Sequence, residues 1–508
     1  MNSQDFITSV ANRAVKNPAE ILVQVAQCSI AVGAQEIYRT LEERLPASIA
    51  VDYAGCDGAC FAGPKIHSEK DVSEYLEGVR VTSTGDSNVS NYINSQTRIV
   101  LEHAGNISAS DIYGYITNKG FSALAKVLSQ PPEQTVDMVE ESGLRGRGGA
   151  YFPVSIKWRS AISTVSKERH LVINAEEGEP GVFKDRHVME SVPFRLIEGA
   201  LIAAYSTEAT SIRLYVNAEA HLSYQRMLNA LEICRSKGFL GPNIMGSRFT
   251  IDIEILKGAG GYVCGEESTL LNTIEGKRRE PRLRPPFPTE SGLNQQPTII
   301  NNVETLCNLP WIVLNGPDEF KKIGDLDTPG TKIMSISGSV STPGVAELPM
   351  GSNLAELMVK FGGIASINAL SAIAVGGPSS GVIPSSESLN LSIGPGFIDG
   401  KSVMLGAGGV IGLSQDTNVL DVVRKLSEYN AKESCGKCTP CREGTSRLLE
   451  LMANDSGDDP INWDGIGQLA EVINAASLCG LGQAAGNPVL SYGSYFQEVS
   501  PGSQRGGI

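Results

Sequence analysis

Residues 171–186, LVINAEEGEPGVFKDR, begin with a short apolar run and continue into a segment rich in acidic residues and glycine. The run has the composition of a buried strand, and two similar runs follow it, IRLYVNA (212–218) and FTIDIEI (249–255). Between them, SYQRMLNALEICRSKG (223–238) has helical periodicity. Strands that alternate with helices predict a sheet covered by helices, with the acidic segment at the end of one strand.

The bulk properties of the 508-residue chain exclude several classes of protein. Its 42 Lys+Arg against 56 Asp+Glu give a net charge of -14, which repels phosphate backbones and argues against nucleic-acid binding. No apolar run approaches the roughly 20 residues that cross a bilayer. The N-terminus, MNSQDFITSVANRAVKNP, has no continuous apolar signal core, so we expect a cytoplasmic protein without membrane insertion.

The chain is too long for one hydrophobic core, and its patterns predict a multidomain α/β protein. Two strands, ILVQVAQCS (21–29) and SIAVDYAG (48–55), flank a helical stretch in a small α/β unit. Later segments such as KIMSISGSV (332–340) and KSVMLGAGGV (401–410) read as short strands of a β-rich domain, and the last part of the chain reads as helical. The predicted domains are 1–100, 101–325, 326–412 and 413–508.

The helical C-terminal part carries a run of closely spaced cysteines in SCGKCTPCREG (434–444). Cys435, Cys438 and Cys441 form a C-x2-C-x2-C pattern, and Cys479 follows in ASLCGLG (476–482). Consecutive C-x2-C steps are typical of cubane ferredoxin sites, whereas zinc sites usually pair two separate knuckles. Zinc remains an alternative, and disulfides do not suit a reducing compartment. We predict a [4Fe-4S] cluster, which needs an electron donor because it carries one electron at a time.

Two glycine-rich loops are candidates for the donor site. SGLRGRGGAYFP (142–153) allows close backbone approach to a ligand and brings Arg145 and Arg147 to offset phosphate charge, although a surface turn would look the same. KGAGGYVCGEES (257–268) follows a strand, and its carboxylates suit ribose hydroxyls. The acids of 176–179 add to this character, so NADPH with its 2'-phosphate should be disfavoured.

Six motifs in order, GLRGRGG, EEGEPGVFKDR, GAGGYVCGEES, EGKRREPRLRPPFP, TIINNVETL and SCGKCTPCREGT, resemble the NADH-binding flavoprotein subunit of respiratory complex I. That family includes the diaphorase subunits of NAD-dependent hydrogenases and formate dehydrogenases. The resemblance implies FMN, NAD(H) and one [4Fe-4S] cluster, electron transport from NADH through FMN to the cluster, and partner iron-sulfur subunits. It also implies a thioredoxin-like N-terminal domain, a Rossmann-like FMN/NADH domain, a β-grasp-like (SLBB-type) domain and a helical bundle that carries the cluster.

The resemblance implies a set of cofactor-binding residues and no catalytic acid or base, because the cofactor supplies the chemistry. The FMN contacts would be Gly146, Arg147, Gly148, Lys157, Asn174, Glu176, Tyr262, Gly265, Glu266, Asn301, Asn302 and Thr305. The NADH contacts would be Phe152, Glu179, Glu267 and Phe287, and Glu177 would hold the nicotinamide side or make structural hydrogen bonds. The cluster ligands would be Cys435, Cys438, Cys441 and Cys479. Tyr151 stands where the family usually has glycine, so its ring would narrow the nicotinamide site or point away from it.

The N-terminal cysteines match the family only in part. Cys56 and Cys60 fit the C-x3-C half of a [2Fe-2S] ferredoxin domain, but the positions that would complete C-x4-C with Cys28 are Val23 and Gly33. The domain would therefore lack a cluster, borrow a ligand, or serve for docking. The five histidines show no ligand spacing, and we assign them no metal. An electron-bifurcating subunit and a scaffold with a degenerate nicotinamide site are the alternative functions.

Overall fold

Three main sheets of different types and a C-terminal group of helices make up the chain. The structure is a computed structural model, and it describes residues 2–12, 19–76, 78–453 and 461–497. This mixed α/β, multidomain architecture agrees with the fold class expected from the sequence. In the described part of the chain, no helix is both long and apolar enough to span a bilayer.

The N-terminal sheet has four strands, in the spatial order Val51–Ala54, Ile21–Gln24, Lys65–Ser68 and Thr82–Ser83. The second of these pairs in parallel with the first and antiparallel with the third. The helices of this part of the chain are Ser3–Ala11, Gln27–Ile30, Ala34–Arg44 and Ser87–Asn94, and the 3-10 turns are Cys60–Ala62 and Ser73–Tyr75. The helix Ser3–Ala11 packs against the core of the central sheet unit, and Ser87–Asn94 packs against the core of the mixed sheet. Ile37 and Leu41 bury one helix face against the strand core, which confirms the predicted strand, helix, strand order.

The central sheet is fully parallel, in the order Ile253–Lys257, Ser211–Val216, His170–Ala175 and Thr298–Asn302. The helices of this unit that precede the strand Ile253–Lys257 in the chain are Ile112–Thr117, Ser122–Leu128, Pro132–Ser142, Val154–Ser163, Lys184–Ser191, Pro193–Ser206 and His221–Ser236. Those after it are Glu267–Ile274, Pro288–Ser291, Val303–Cys307, Leu309–Asn315 and Pro317–Lys321, with 3-10 turns at Ile244–Gly246, Tyr262–Gly265 and Leu293–Gln295. Parallel strands end at a common edge, so the segments that follow them meet there.

The third sheet is mixed, in the order Gly344–Pro349, Thr331–Gly338, Gly409–Ser414, Leu370–Val375 and Gly381–Pro384. Its second and third strands pair in parallel, and the other pairs are antiparallel. A ribbon of Gly324–Asp325 and Thr328–Pro329 precedes it, and the helix Leu354–Gly362 and 3-10 turns Ile367–Ala369, Gly377–Ser379 and Ser385–Asn390 complete the unit. The predicted strand over 401–410 is wrong for 401–408, because glycines with positive φ at Gly406 and Gly408 turn the chain there.

The C-terminal helices are Val419–Glu433, Thr439–Ala453, Trp463–Ala476, Gly480–Ala484 and Asn487–Tyr495. They share a hydrophobic core with the mixed sheet, because Leu426 and Leu448 pack together with Val382. Tyr429 donates a hydrogen bond of 2.6 Å to the carbonyl oxygen of Gly178. That contact joins the first C-terminal helix to the loop that follows a central strand, and it brings the cysteine-bearing helices to the edge of the parallel sheet.

Candidate functional site

A cleft lies where the parallel strands end. Asn174 and Asn302 are register partners on neighbouring strands, and both face this edge. The enclosed part of the cleft has a volume of about 220 Å³, below the ~300–1,000 Å³ of typical ligand pockets, so it suits a ring system better than a whole dinucleotide. The predicted site residues that line it are Gly148, Asn174, Glu176, Glu177, Glu179, Tyr262, Gly265, Glu266 and Asn302. Sequence reasoning missed the lining residues Val182, Asp185, Val263, Ala407, Gly480 and Leu481.

Two acids of the cleft are held with part of their hydrogen-bonding capacity unused. Asn217 donates a hydrogen bond of 2.5 Å to Oε1 of Glu176, while Oε2 of Glu176 is buried without a partner. Ser379 donates to Oε1 of Glu179 at 3.0 Å, and the amide of Ala407 reaches Oε2 at 3.4 Å. Burial raises the pKa of Glu176 and of Glu179 to about 7. Both carboxyls therefore titrate near neutral pH.

Glu177 is engaged in the protein's own backbone. Its carboxylate accepts hydrogen bonds from the amides of Asp185 at 2.7 Å and Arg186 at 3.0 Å. These amides belong to the first turn of the helix Lys184–Ser191, where backbone donors lack partners within the helix. Of the two roles considered for Glu177, the geometry supports structural hydrogen bonding.

Glu266 and Glu267 hold the second glycine-rich loop in place. Glu266 caps the helix Glu267–Ile274 by accepting hydrogen bonds from the amide of Thr269 at 2.8 Å and the hydroxyl of Ser268 at 2.6 Å. Glu267 forms an ion pair with Lys157, whose Nζ also donates to the carbonyl oxygen of Ile300 at 3.1 Å. Lys157 and Glu267 thus meet each other beside the enclosed part of the cleft, not inside it.

Arg147 points away from the cleft. Its guanidinium is fully buried and donates to the carbonyl oxygens of Thr331 at 2.8 Å and Pro329 at 2.5 Å. Its backbone amide donates to Oγ1 of Thr305 at 2.8 Å. The side chain therefore fastens the first glycine loop to the mixed sheet, and only Gly148 of that loop reaches the cleft wall.

Tyr151 also turns away from the cleft. Its backbone has a φ of 51°, in the left-handed region that favours glycine, and its ring is buried in the core of the mixed-sheet unit. The hydroxyl donates to the carbonyl oxygen of Gly406 at 3.1 Å. Since Ala407 follows Gly406 and lines the cleft, Tyr151 supports the cleft wall from behind and does not narrow the opening.

The remaining predicted residues surround the enclosed cavity. Asn301 accepts a hydrogen bond of 3.0 Å from the indole of the buried Trp158. Gly146 closes its loop through an amide hydrogen bond of 2.9 Å to the carbonyl oxygen of Phe152. The rings of Phe152 and Phe287 are about half exposed, at 49% and 51%, which leaves both free to contact a ligand outside the enclosed part.

The four cysteines predicted to bind a cluster share one wall with the cleft. Cys441 and Cys479 are buried together with Val263 and Leu481, and Cys435 and Cys438 pack against this group. Val263 and Leu481 line the cleft on their other side. The thiols and the cleft are thus separated by a single layer of side chains.

The surroundings of these thiols fit an iron-sulfur cluster. Burial raises the pKa of Cys441 to about 11, so this thiol favours its protonated form until a metal binds. Burial raises the pKa of Cys479 overall, although the backbone amides of Gly482 and Leu481 lower it, and Ser434 Oγ lies 3.2 Å from the sulfur of Cys441. Gly436, at a φ of 77°, makes the turn between the first two cysteines. Four soft donors with hydrogen bonds to sulfur suit such a cluster.

The cleft wall fits a flat ligand. A Cβ built on Gly480 meets no atom within 4 Å, so the backbone there faces open space. At Gly148, a built Cβ would lie 3.1 Å from the Cβ of Asn302, so a side chain would crowd the wall at this point. Glu176 also lines the wall, but its unpartnered oxygen is buried beside Gly258 and does not face the open cleft. These features suit the ring and ribityl chain of a flavin.

Comparison with known proteins agrees with this geometry. The Nuo51 FMN-binding domain matches residues 139–311, and the NADH-ubiquinone oxidoreductase-F iron-sulfur binding region matches residues 421–500. The NADP-reducing hydrogenase subunit HndC of Solidesulfovibrio fructosivorans is 40% identical over 399 residues, which are 78% of this chain and 81% of that protein. An NADH-quinone oxidoreductase subunit of Aquifex aeolicus is 38% identical, over 80% of this chain and 94% of that protein.

A solved structure extends the likeness over nearly the whole chain. The crystal structure of an NAD+-reducing [NiFe]-hydrogenase in the H2-reduced state matches with a TM-score of 0.68 and 27% identity, over 97% of this chain and 86% of that chain. The chain therefore belongs to the family of FMN- and [4Fe-4S]-binding flavoprotein subunits found in NADH-quinone oxidoreductases and NAD(P)-reducing hydrogenases.

Proposed function

We propose that the cleft of this chain holds FMN and exchanges hydride between the flavin and NAD(H), and that Cys435, Cys438, Cys441 and Cys479 hold the [4Fe-4S] cluster. The observation that carries the proposal is the shared wall of Val263 and Leu481 between the cleft and the four thiols. When bound, FMN exchanges two electrons with nicotinamide and single electrons with a cluster.

The residues of this chain bind the flavin and the nucleotide and orient them toward each other. Gly148 and Gly480 leave space beside the ring, and Glu176, which lines the cleft, would accept a flavin hydroxyl once its buried oxygen turns toward the ligand. Val263 and Leu481 keep the wall between the two cofactors apolar, which excludes water from the path between them. Phe152 and Phe287, half exposed beside the enclosed part, are placed to contact the nucleotide.

We infer a preference for NADH over NADPH. Glu266 lines the cleft and Glu267 follows it in the chain, and carboxylates accept ribose hydroxyls but repel a 2'-phosphate. Arg284 lies 3.6 Å from Glu266 and pairs with it, so its charge is partly offset. Steady-state reduction of ferricyanide with each nucleotide tests this, and a higher kcat/KM for NADPH would contradict it.

The cluster assignment is tested by removing one ligand. Cys438→Ala should remove the cluster's iron and sulfide and stop electron delivery to the partner subunits, while NADH still reduces ferricyanide at the flavin. Cys234→Ala is the matched control, because Cys234 is a buried thiol in the helix His221–Ser236, outside the cluster of thiols. A Cys438→Ala protein with the iron content of the wild type would contradict the assignment.

We propose that the chain works in a complex with further iron-sulfur subunits, of hydrogenase, formate dehydrogenase or complex I type. Both named relatives are subunits of larger assemblies by their names. Because Tyr151 turns away from the cleft, it gives no support to the alternative of a scaffold with a degenerate nicotinamide site. Bleaching of the flavin absorbance by NADH in the purified complex tests for catalysis, and an unchanged spectrum would support a scaffold instead.

A further inference from the structure

The three N-terminal cysteines converge on one point. Cys28 lies in the helix Gln27–Ile30, Cys60 begins a 3-10 turn, and Cys56 follows a strand of the same sheet. Their three sulfurs all lie within 4.8 Å of one another, and the sulfurs of Cys56 and Cys60 are 3.8 Å apart. A zinc ion bound at about 2.3 Å by tetrahedral thiolates places neighbouring sulfurs about 3.8 Å apart. The spacing therefore matches ligands of a single ion.

A [2Fe-2S] cluster fits this arrangement less well. Such a cluster divides four ligands between two irons, so thiols on different irons lie further apart than thiols on the same iron. Here all three sulfurs are mutual neighbours. The positions that could supply a fourth thiol are also occupied otherwise, because Val23 is buried in the N-terminal core and Gly33 has no side chain.

A histidine from the central sheet unit lies next to this group of thiols. His187 lies on the helix Lys184–Ser191, on the same face as Glu190 and Ser191, which follow it by three and four residues. Glu190 accepts a hydrogen bond of 2.9 Å from the amide of Gln27, and Ser191 donates one of 2.9 Å to the carbonyl oxygen of Cys56. This helix face is therefore pressed against the two segments that carry Cys28 and Cys56.

His187 has an unused ligand atom. Its side chain is only 6% exposed, and its Nε2 is buried without a hydrogen-bond partner. Buried polar atoms are normally satisfied, so an orphaned imidazole nitrogen requires an explanation. Neither ring nitrogen of His187 lies within 4.8 Å of all three sulfurs, so the imidazole must turn toward them to bind the same ion. Imidazole nitrogen and three thiolates are a common ligand set for structural zinc.

We propose that Cys28, Cys56 and Cys60 bind one zinc-type divalent ion and that His187 completes the site by turning its unpartnered Nε2 toward the ion, so that the N-terminal unit and the central sheet unit share the site. Three thiolates and a neutral imidazole leave one net negative charge on the site. The ammonium of Lys65 is buried 4.0 Å from the sulfur of Cys56 and is also paired with the buried carboxylate of Asp57, and the amide of Gly58 donates to the same sulfur at 3.3 Å. The ion would fasten the N-terminal unit to the flavin-binding unit.

Metal analysis of the complete, purified complex tests the proposal. After subtraction of the partners' content, we expect one zinc together with the four irons and four sulfides of the [4Fe-4S] cluster per chain. Cys60→Ser and His187→Gln should each lower zinc to less than half and leave iron unchanged. His170→Gln is the matched control, because His170 is also buried with an unpartnered Nε2 but lies at the start of a central strand.

Replacing zinc by cobalt gives a second measurement, which can be made on the wild-type protein and so does not depend on the stability of a variant. The wild-type protein reconstituted with Co2+ should show thiolate-to-cobalt charge-transfer bands, and His187→Gln should shift its ligand-field bands. Six irons and six sulfides without zinc would overturn the proposal in favour of a [2Fe-2S] cluster. Three free thiols without any metal, or full zinc retention in His187→Gln, would overturn it as well. None of these results bears on the C-terminal cluster, so the proposed function is tested separately.

Discussion

Gly480→Leu is a direct test of where the flavin lies. Gly480 begins the helix that follows Cys479, its backbone lines the cleft, and a Cβ built there meets nothing within 4 Å. Leucine can therefore enter the helix without a clash in the apoprotein, but its side-chain carbons project into a cavity of about 220 Å³. Overpacking a filled site costs ~1–3 kcal/mol. At about 1.4 kcal/mol per tenfold, FMN should bind ~5–150-fold more weakly.

The assay is FMN titration of flavin-depleted protein by quenching of flavin fluorescence, with iron and sulfide measured on the same samples. Gly467→Leu is the matched control, because a Cβ at Gly467 also meets nothing within 4 Å but the residue lies on the helix Trp463–Ala476, outside the cleft. Gly480→Leu should keep its iron and lose affinity for FMN. Wild-type affinity in Gly480→Leu would refute the placement, and an equal loss in both variants would show that the effect is not local.

Three further variants probe the structure around the cleft. Glu304→Gln removes a fully buried carboxylate that pairs with Lys184 at 2.9 Å and with Lys332 at 2.5 Å. The loss should lower the free energy of unfolding by ~3–5 kcal/mol, and an unchanged urea midpoint would contradict this expectation. Because the pKa of Glu179 is raised from its ordinary value of 4.5 to about 7, its contribution to apoprotein stability is fully present below pH 4.5 and lost as the pH rises through 7. Glu179→Gln should therefore flatten the fall of the thermal midpoint between about pH 5 and pH 8, and an equally steep fall would count against the role of this carboxyl. Tyr151→Phe should cost ~1 kcal/mol of stability with KM for NADH unchanged, whereas a KM change beyond about threefold would place the hydroxyl near the nucleotide.

The spacing of apolar residues in the sequence predicted those strands and helices in which it has a clear period. The runs at 171–175 and 212–218 form the strands His170–Ala175 and Ser211–Val216, whereas the run at 249–255 becomes a strand only from Ile253, and the last part of the chain is helical as expected. The strand Thr298–Asn302 was missed because it has only five residues and directly follows a proline-rich segment. The helix Pro193–Ser206 was also missed, since nearly all of its residues are buried and it shows no polar face for a period to reveal.

The candidate site was predicted at the level of segments better than at the level of side chains. Both glycine-rich loops and the acidic loop reach the cleft, because each follows or contacts a strand end of the parallel sheet. The direction of single side chains could not be read from the motifs. Arg147 and Glu177 belong to the right segments, yet one donates to backbone carbonyls of another domain and the other accepts backbone amides of its own.

His187 is the clearest case of information that spacing cannot carry. Metal-ligand patterns are recognisable in a sequence when all donors lie in one loop, as Cys435, Cys438 and Cys441 do. A site between two domains takes its last donor from a helix whose position depends on tertiary packing, so sequence distance has no relation to distance in space. The helix that carries His187 lies very close to the segment that carries Cys56, because a Cβ on Gly55 would overlap the backbone of Ser191. Gly55→Ala should therefore separate the histidine from the N-terminal thiols and release the proposed zinc without removing any ligand. If zinc were retained in Gly55→Ala as firmly as in the wild type, the close contact between the two units would not be what completes the site.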